Sequence, residues 1–168
     1  MIHLSFVDWL RAAPVVALIL QFLVALNLGE HRGRWVTQDD EPRSSTRFAA
    51  IDLFIDSGND PLAAWQVEFH ATKGVVRIVG IESGEHAVFG DDPPYYDPDA
   101  MMNDRVILAQ YSLGRADSLP TGRTRIATVH VQIEGEMEPQ FSMLLQAAGD
   151  DEGCRIAAEV TFEMRIDQ

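Results

Sequence analysis

Hydrophobicity along the chain changes its period once. From Ala12 to Leu28 (AAPVVALILQFLVALNL) 17 residues pass without a charge, closed by Arg11 on one side and Glu30 on the other. Beyond Arg47 the apolar residues recur at every second position, the spacing of half-buried strands. Ile156, Ala158, Val160, Phe162, Met164 and Ile166 share one phase, with Glu159, Thr161, Glu163 and Arg165 in the other. Ala127, Val129, Val131 and Ile133 alternate with Thr128, His130, Gln132 and Glu134. Ala63, Trp65, Val67, Phe69 and Ala71 alternate with Gln66, Glu68 and His70, and Phe141, Met143, Leu145 and Ala147 make a fourth row. Shorter runs lie at Ile51–Ile55, Val75–Ile81 and Arg105–Tyr111.

Turn residues separate these runs: Ser57-Gly58-Asn59-Asp60-Pro61, Lys73-Gly74, Pro120-Thr121-Gly122, Glu134-Gly135-Glu136 and Asp150-Asp151-Glu152-Gly153. Many short strands, each with one polar face, predict an all-β domain: an antiparallel β-sandwich, jelly-roll or Ig-like, of ~7–9 strands. Gly84–Asp104 breaks the spacing. Its Asp91-Asp92-Pro93-Pro94-Tyr95-Tyr96-Asp97-Pro98 core excludes a central strand, because proline cannot donate to a ladder, so a long loop is expected there.

The apolar run reads as one transmembrane helix. A span takes roughly 17–25 apolar residues, and Trp9 and Trp35 flank this run as interfacial aromatics do. A buried core helix would show a polar face, and Gln21 with Asn27 does not make one. A cleaved signal peptide would end on a small-x-small site, which Val24-Ala25-Leu26-Asn27-Leu28-Gly29 lacks. The chain is therefore divided into a short N-terminal segment (1–11), an uncleaved signal anchor (12–28), a polar linker (29–47) and a sandwich domain (48–168). Arg11 precedes the span and Arg32 and Arg34 follow it, so the basic residues do not decide its orientation.

Charge narrows the partners. Thirteen basic and 26 acidic residues give a formal net charge of −13, with only Arg11, Arg32, Arg34, Asp8 and Glu30 in the first 34 positions. So acidic a domain repels phosphate backbones, and no nucleic-acid partner is expected. Cys154 is the single cysteine, so no internal disulfide supports the fold.

Catalytic signatures are missing. The sequence contains no G-x-S-x-G elbow, Walker loop, H-E-x-x-H or dinucleotide fingerprint. His70 and His130 fall singly on outward strand phases, which suits solvated histidines better than metal ligands. Asp56, Asn59 and Asp60, and the loop aspartates Asp91, Asp92, Asp97, Asp99 and Asp104, offer oxygen ligands. Neither group matches the EF-hand spacing. No metal, cofactor or enzymatic activity is expected. The candidate binding residues are Tyr95, Tyr96, His86 and Asp97 of the long loop. Rings beside prolines can stack on sugars or bury against a protein. The plainer alternative is that they cap an open edge of the sandwich and hold the loop in place.

The strand series resembles cohesin-like domains. The likeness lies in Ile51-Asp52-Leu53-Phe54-Ile55-Asp56, Leu62-Ala63-Ala64-Trp65-Gln66-Val67-Glu68-Phe69 and Val76-Arg77-Ile78-Val79-Gly80-Ile81-Glu82. Arg105–Tyr111 and Gly122–Val131 are similar to the later strands of that family, and the match runs from about Phe48 to the end. The resemblance implies a jelly-roll-like sandwich related to carbohydrate-binding modules, acting in non-catalytic binding outside the cytoplasm. Ala71-Thr72-Lys73-Gly74 stands where a Tyr-Asp-Pro-like turn commonly follows the second cohesin strand, and Tyr96-Asp97-Pro98 occurs in the long loop instead. A dockerin-type partner is therefore not carried over. The expected function is a membrane-anchored interaction module for a protein or a glycan. An accessory subunit of a larger membrane complex is the alternative, and a hydrolytic or metal-dependent enzyme a distant third.

Overall fold

A computed structural model describes residues 45–166. The apolar run 12–28 and its neighbouring segments up to residue 44 lie outside the described residues. Among those described, no helix is long and apolar enough to cross a membrane.

Seven strands follow in order: β1 (Thr46–Asp56), β2 (Ala64–Lys73), β3 (Val75–Glu82), β4 (Arg105–Tyr111), β5 (Arg123–Glu134), β6 (Gln140–Gly149) and β7 (Glu159–Ile166). They form two antiparallel sheets, A in the order β3-β5-β1-β7 and B in the order β4-β2-β6. Odd strands build sheet A and even strands sheet B, so every connection crosses from one sheet to the other. No hairpin lies within a sheet. Ig-like sandwiches pair some consecutive strands, and this connectivity differs from theirs.

The two-residue period places the core. Ile51, Leu53 and Ile55 of β1, Val67 and Phe69 of β2, and Val129 and Val131 of β5 are all fully buried between the sheets. At roughly 1.5–3 kcal/mol for each fully buried aliphatic or aromatic side chain, these facing rows are the main force holding the sheets together. The turn between β2 and β3 is one residue, Gly74, at φ +92°. A side chain there would be strained, and its Cβ would come within 3.3 Å of Pro139.

A bulge alters one of the predicted rows. The β2–β6 register shifts between Gln66 and Val67, so Leu145 lies opposite Val67 whereas Ala147 lies opposite Gln66. The extra residue turns Ala147 outward and buries Ala148 in its place, because a one-residue slip exchanges the faces of a strand. Strand pairing also starts earlier than the run Ile51–Ile55 suggests. The Arg47 guanidinium donates to the Gly135 and Met137 carbonyls, tying the beginning of β1 to the turn after β5. Ile156 and Ala158 pack on the core as the last row requires, but they precede β7 rather than belonging to it.

Candidate functional site

The segment Ser83–Asp104 is ordered by hydrogen bonds made at its entry. Glu85 N donates to the Arg125 carbonyl at 3.0 Å, and Arg125 N donates to Glu85 Oε1 at 2.9 Å. Gly84 lies so close to β5 that a Cβ would meet the Arg125 carbonyl oxygen at 2.8 Å. A single-turn helix, α1 (Ala87–Gly90), then drops Phe89 into the core, where it is 0% exposed and packs edge-on against Trp65.

The four candidate residues separate at this point. His86 caps α1, its Nδ1 accepting from Val88 N. Asp97 caps the 3-10 turn Pro98–Ala100, its Oδ1 accepting from Asp99 N at 3.0 Å. Consecutive residues of extended chain point to opposite sides, and the tyrosines obey this. Tyr96 is half-buried against the core. Tyr95 is 68% exposed, and its backbone pairs with Ala109 through two hydrogen bonds, lengthening sheet B by one residue. The segment closes one edge of the sandwich with Tyr96 and offers Tyr95 to solvent.

Tyr95 thereby reaches the outer face of sheet B beside Tyr111, the two rings nearly parallel (15°) with centroids 6.3 Å apart. Ala64, Ala109 and Ala147 form a low floor next to them. Ile107 and Leu144 flank Glu68 one row further along, both exposed to solvent. A polar row crosses the middle of the face. Arg105 holds Glu68 through two contacts of 2.8 Å, Gln146 Nε2 donates to Glu68 Oε2 at 3.1 Å, and Gln66 Nε2 donates to Gln146 Oε1. These groups satisfy one another, which orders the face at little desolvation cost when it is covered.

Two shallow hollows share a wall formed by Tyr95, Gln66 and Ala109. One, of about 480 Å³, is bounded by Tyr111, Gln110, Cys154 and Arg155; the other, of about 610 Å³, by Tyr96, Asp97, Arg105 and Ile107. Their carboxylates already serve turns. Asp150 Oδ1 accepts from Glu152 N and Cys154 N, and Asp97 caps its 3-10 turn. Cys154 is exposed. Among the described residues, no three His, Cys, Asp or Glu side chains gather as a metal site.

Sheet A presents a different outer face, held by ionic and hydrogen-bonded contacts. Asp52 of β1 is nearly buried, accepting from Thr128 Oγ1 at 2.7 Å and, through both carboxylate oxygens, from Arg165 Nε at 2.8 Å and Nη2 at 2.9 Å. Burial alone would raise its pKa. The Thr128 and Arg165 hydrogen bonds, with the charges of Arg165 and Arg125, outweigh that and hold it below the ordinary 3.8. Arg123 lies 3.5 Å above the Phe54 ring on the same face.

Sequence reasoning missed Tyr111, Ile107 and Leu144. A signal was present: Ile107 interrupts the alternation within Val106-Ile107-Leu108, as does Leu144 within Met143-Leu144-Leu145. A strand apolar in both phases is covered on both faces or offers one to a partner.

No protein-family model and no curated protein matches the chain. Among solved structures it is similar to a non-cellulosomal cohesin from the hyperthermophilic archaeon Archaeoglobus fulgidus, at 9% sequence identity and a TM-score of 0.47. The alignment covers 69% of this chain and 75% of that one. At this level of likeness the fold rests on the strand pairing itself.

Proposed function

We propose that the domain is a non-catalytic interaction module that docks a partner protein on the outer face of sheet B. The observation that carries this reading is the set of exposed apolar side chains, Tyr95, Tyr111, Ile107 and Leu144, around a polar row whose members are already paired. Tyrosines are enriched among interface anchors, and a satisfied polar centre can be buried without stranding a charge. The apolar run 12–28 would tether the module to a membrane, and the polar stretch after it would hold the sandwich clear of the bilayer. An extracytoplasmic position for the domain belongs to the same proposal.

The near-parallel Tyr95 and Tyr111 rings favour a second reading, a glycan stacked on the pair. Ile107 and Leu144 have no role in that mode, and Gln66 and Gln146 already spend amide groups on each other. One comparison separates the two. The full chain solubilised from its own cells should migrate in an assembly. Ile107→Asp with Leu144→Asp should release it as the free chain, while the melting temperature stays within a few degrees. If the double variant keeps the assembly and Tyr111→Ala disperses it, the glycan reading replaces the protein one.

A further inference from the structure

Among the described residues, the sandwich is one strand's width short on its β6–β7 side. Leu53 and Ile51 of β1 are fully buried, yet the residues paired beside them on β7, Phe162 and Met164, are 37% and 39% exposed in the same inward phase. Across the gap on β6, Phe141, Met143 and Leu145 are only half-buried, although their β2 partners Ala71, Phe69 and Val67 are all buried. Phe141 and Phe162 meet edge-on at 6.2 Å, which marks this strip as the continuation of the core.

The free edge of β6 is also unguarded. Natural edge strands carry charges or prolines that discourage pairing, and β3, β4 and β7 each bear charged residues. The ten residues of β6 (QFSMLLQAAG) hold no charge and no proline. Among the described residues, one end of this edge is occupied: Arg155 bridges Gly149, and Ile156 N donates to the Ala148 carbonyl at 3.1 Å, before the backbone leaves for β7. Beyond that bridge, Gln140–Leu145 borders no further strand among the described residues, a length of about 20 Å.

We propose that a partner polypeptide adds an extended strand along Gln140–Leu145, antiparallel to β6 and in line with Arg155–Ile156, and fills the strip between β6 and β7. Its alternate side chains are apolar, to meet Phe141, Met143, Phe162 and Met164. Its remaining positions are Lys or Arg. Charge selects this occupant. After residue 34 the chain holds 10 basic against 24 acidic residues, so a second copy would bring repulsion to the contact and a basic strand attraction. The site adjoins the outer face of sheet B at Leu144, but its apolar contacts are to the inward phase of β6 and β7, and unchanged exchange at 105–111 tells the two apart.

The probe is an end-capped nonapeptide alternating Val and Lys, added to the full chain in detergent micelles. It should bind saturably and slow hydrogen exchange at 140–145 at least tenfold, leaving 105–111 unchanged. A peptide of the same composition arranged in blocks, and an alternating Val/Glu peptide, should not bind at ten times the concentration. Met164→Lys should weaken the Val/Lys peptide at least tenfold; if that variant does not fold, Phe162→Ser serves the same purpose. The proposal is overturned if 140–145 gains no protection from the Val/Lys peptide. Protection already present in the dilute free chain also overturns it, since the chain would then fill its own strip. Protection that appears with rising protein concentration alone does so too, because a second copy would be the occupant.

Discussion

The two sides of the sandwich solve one problem in opposite ways. On the β3–β4 side a 22-residue connection folds back over the core, sinks Phe89 between the sheets, packs Tyr96 and Met101 against them and pairs Tyr95 with β4. On the β6–β7 side the connection has nine residues, enough for one bridge and for Ile156 and Ala158 to cover part of the strip. Phe162 and Met164 stay at the surface. A sheet edge is closed by chain length devoted to it, and of these two connections only the longer has that length.

The forces differ as well. The sealed side is held by apolar burial. On the open side β7 is fastened to β1 through Arg165 and Asp52, a polar clamp on the outer face. The first of these interactions is indifferent to pH and the second is not.

The strongest way to break the contrast is to remove one ring from each side. Phe89→Ala should cost about 3–5 kcal/mol in denaturant unfolding, the range for a fully buried phenylalanine. Phe162→Ala should cost about 1–2 kcal/mol, since water already reaches over a third of that residue. Equal losses would mean that the two sides are closed alike.

A smaller effect sharpens the electrostatic half. Asp52→Asn should destabilise the chain by about 1–3 kcal/mol near neutral pH, because the Thr128 hydroxyl and the Arg165 guanidinium lose a charged acceptor. The folded-state pKa of Asp52 lies below 3.8, so its contribution is complete above that value and disappears as pH falls through the folded pKa. Unfolding curves of the two proteins should therefore converge in acid. A gap that stays constant from neutral pH down to the acid limb would show that the carboxylate charge is not what fastens β7.

Much of this was legible in the residues. Period-two alternation gave the strands and their inward phases, and the prolines at 93, 94 and 98 marked the loop that seals one edge. Ala147 was assigned the wrong face because a bulge leaves no trace in hydrophobicity when Gln146, Ala147 and Ala148 can exchange places at little cost. The neighbour of Tyr95 was out of reach for a different reason. Tyr111 meets it through a bridge between Tyr95 and Ala109, and such non-local pairing is set by the whole sandwich rather than by either segment. The sequence treats Tyr95 and Tyr96 alike, and it is the pairing of Tyr95 with Ala109 that sends the two rings to opposite sides.

The central claim, that the outer face of sheet B is where a partner protein sits, can be tested by photo-cross-linking in the chain's own cells. A photoreactive phenylalanine analogue would replace either Tyr111, 59% exposed on that face and away from the β6 edge, or Val75, 54% exposed on the outer phase of sheet A. The account predicts a heavier, protein-containing adduct from position 111 and none from position 75. Adducts of equal yield from both, or from position 75 alone, would contradict it.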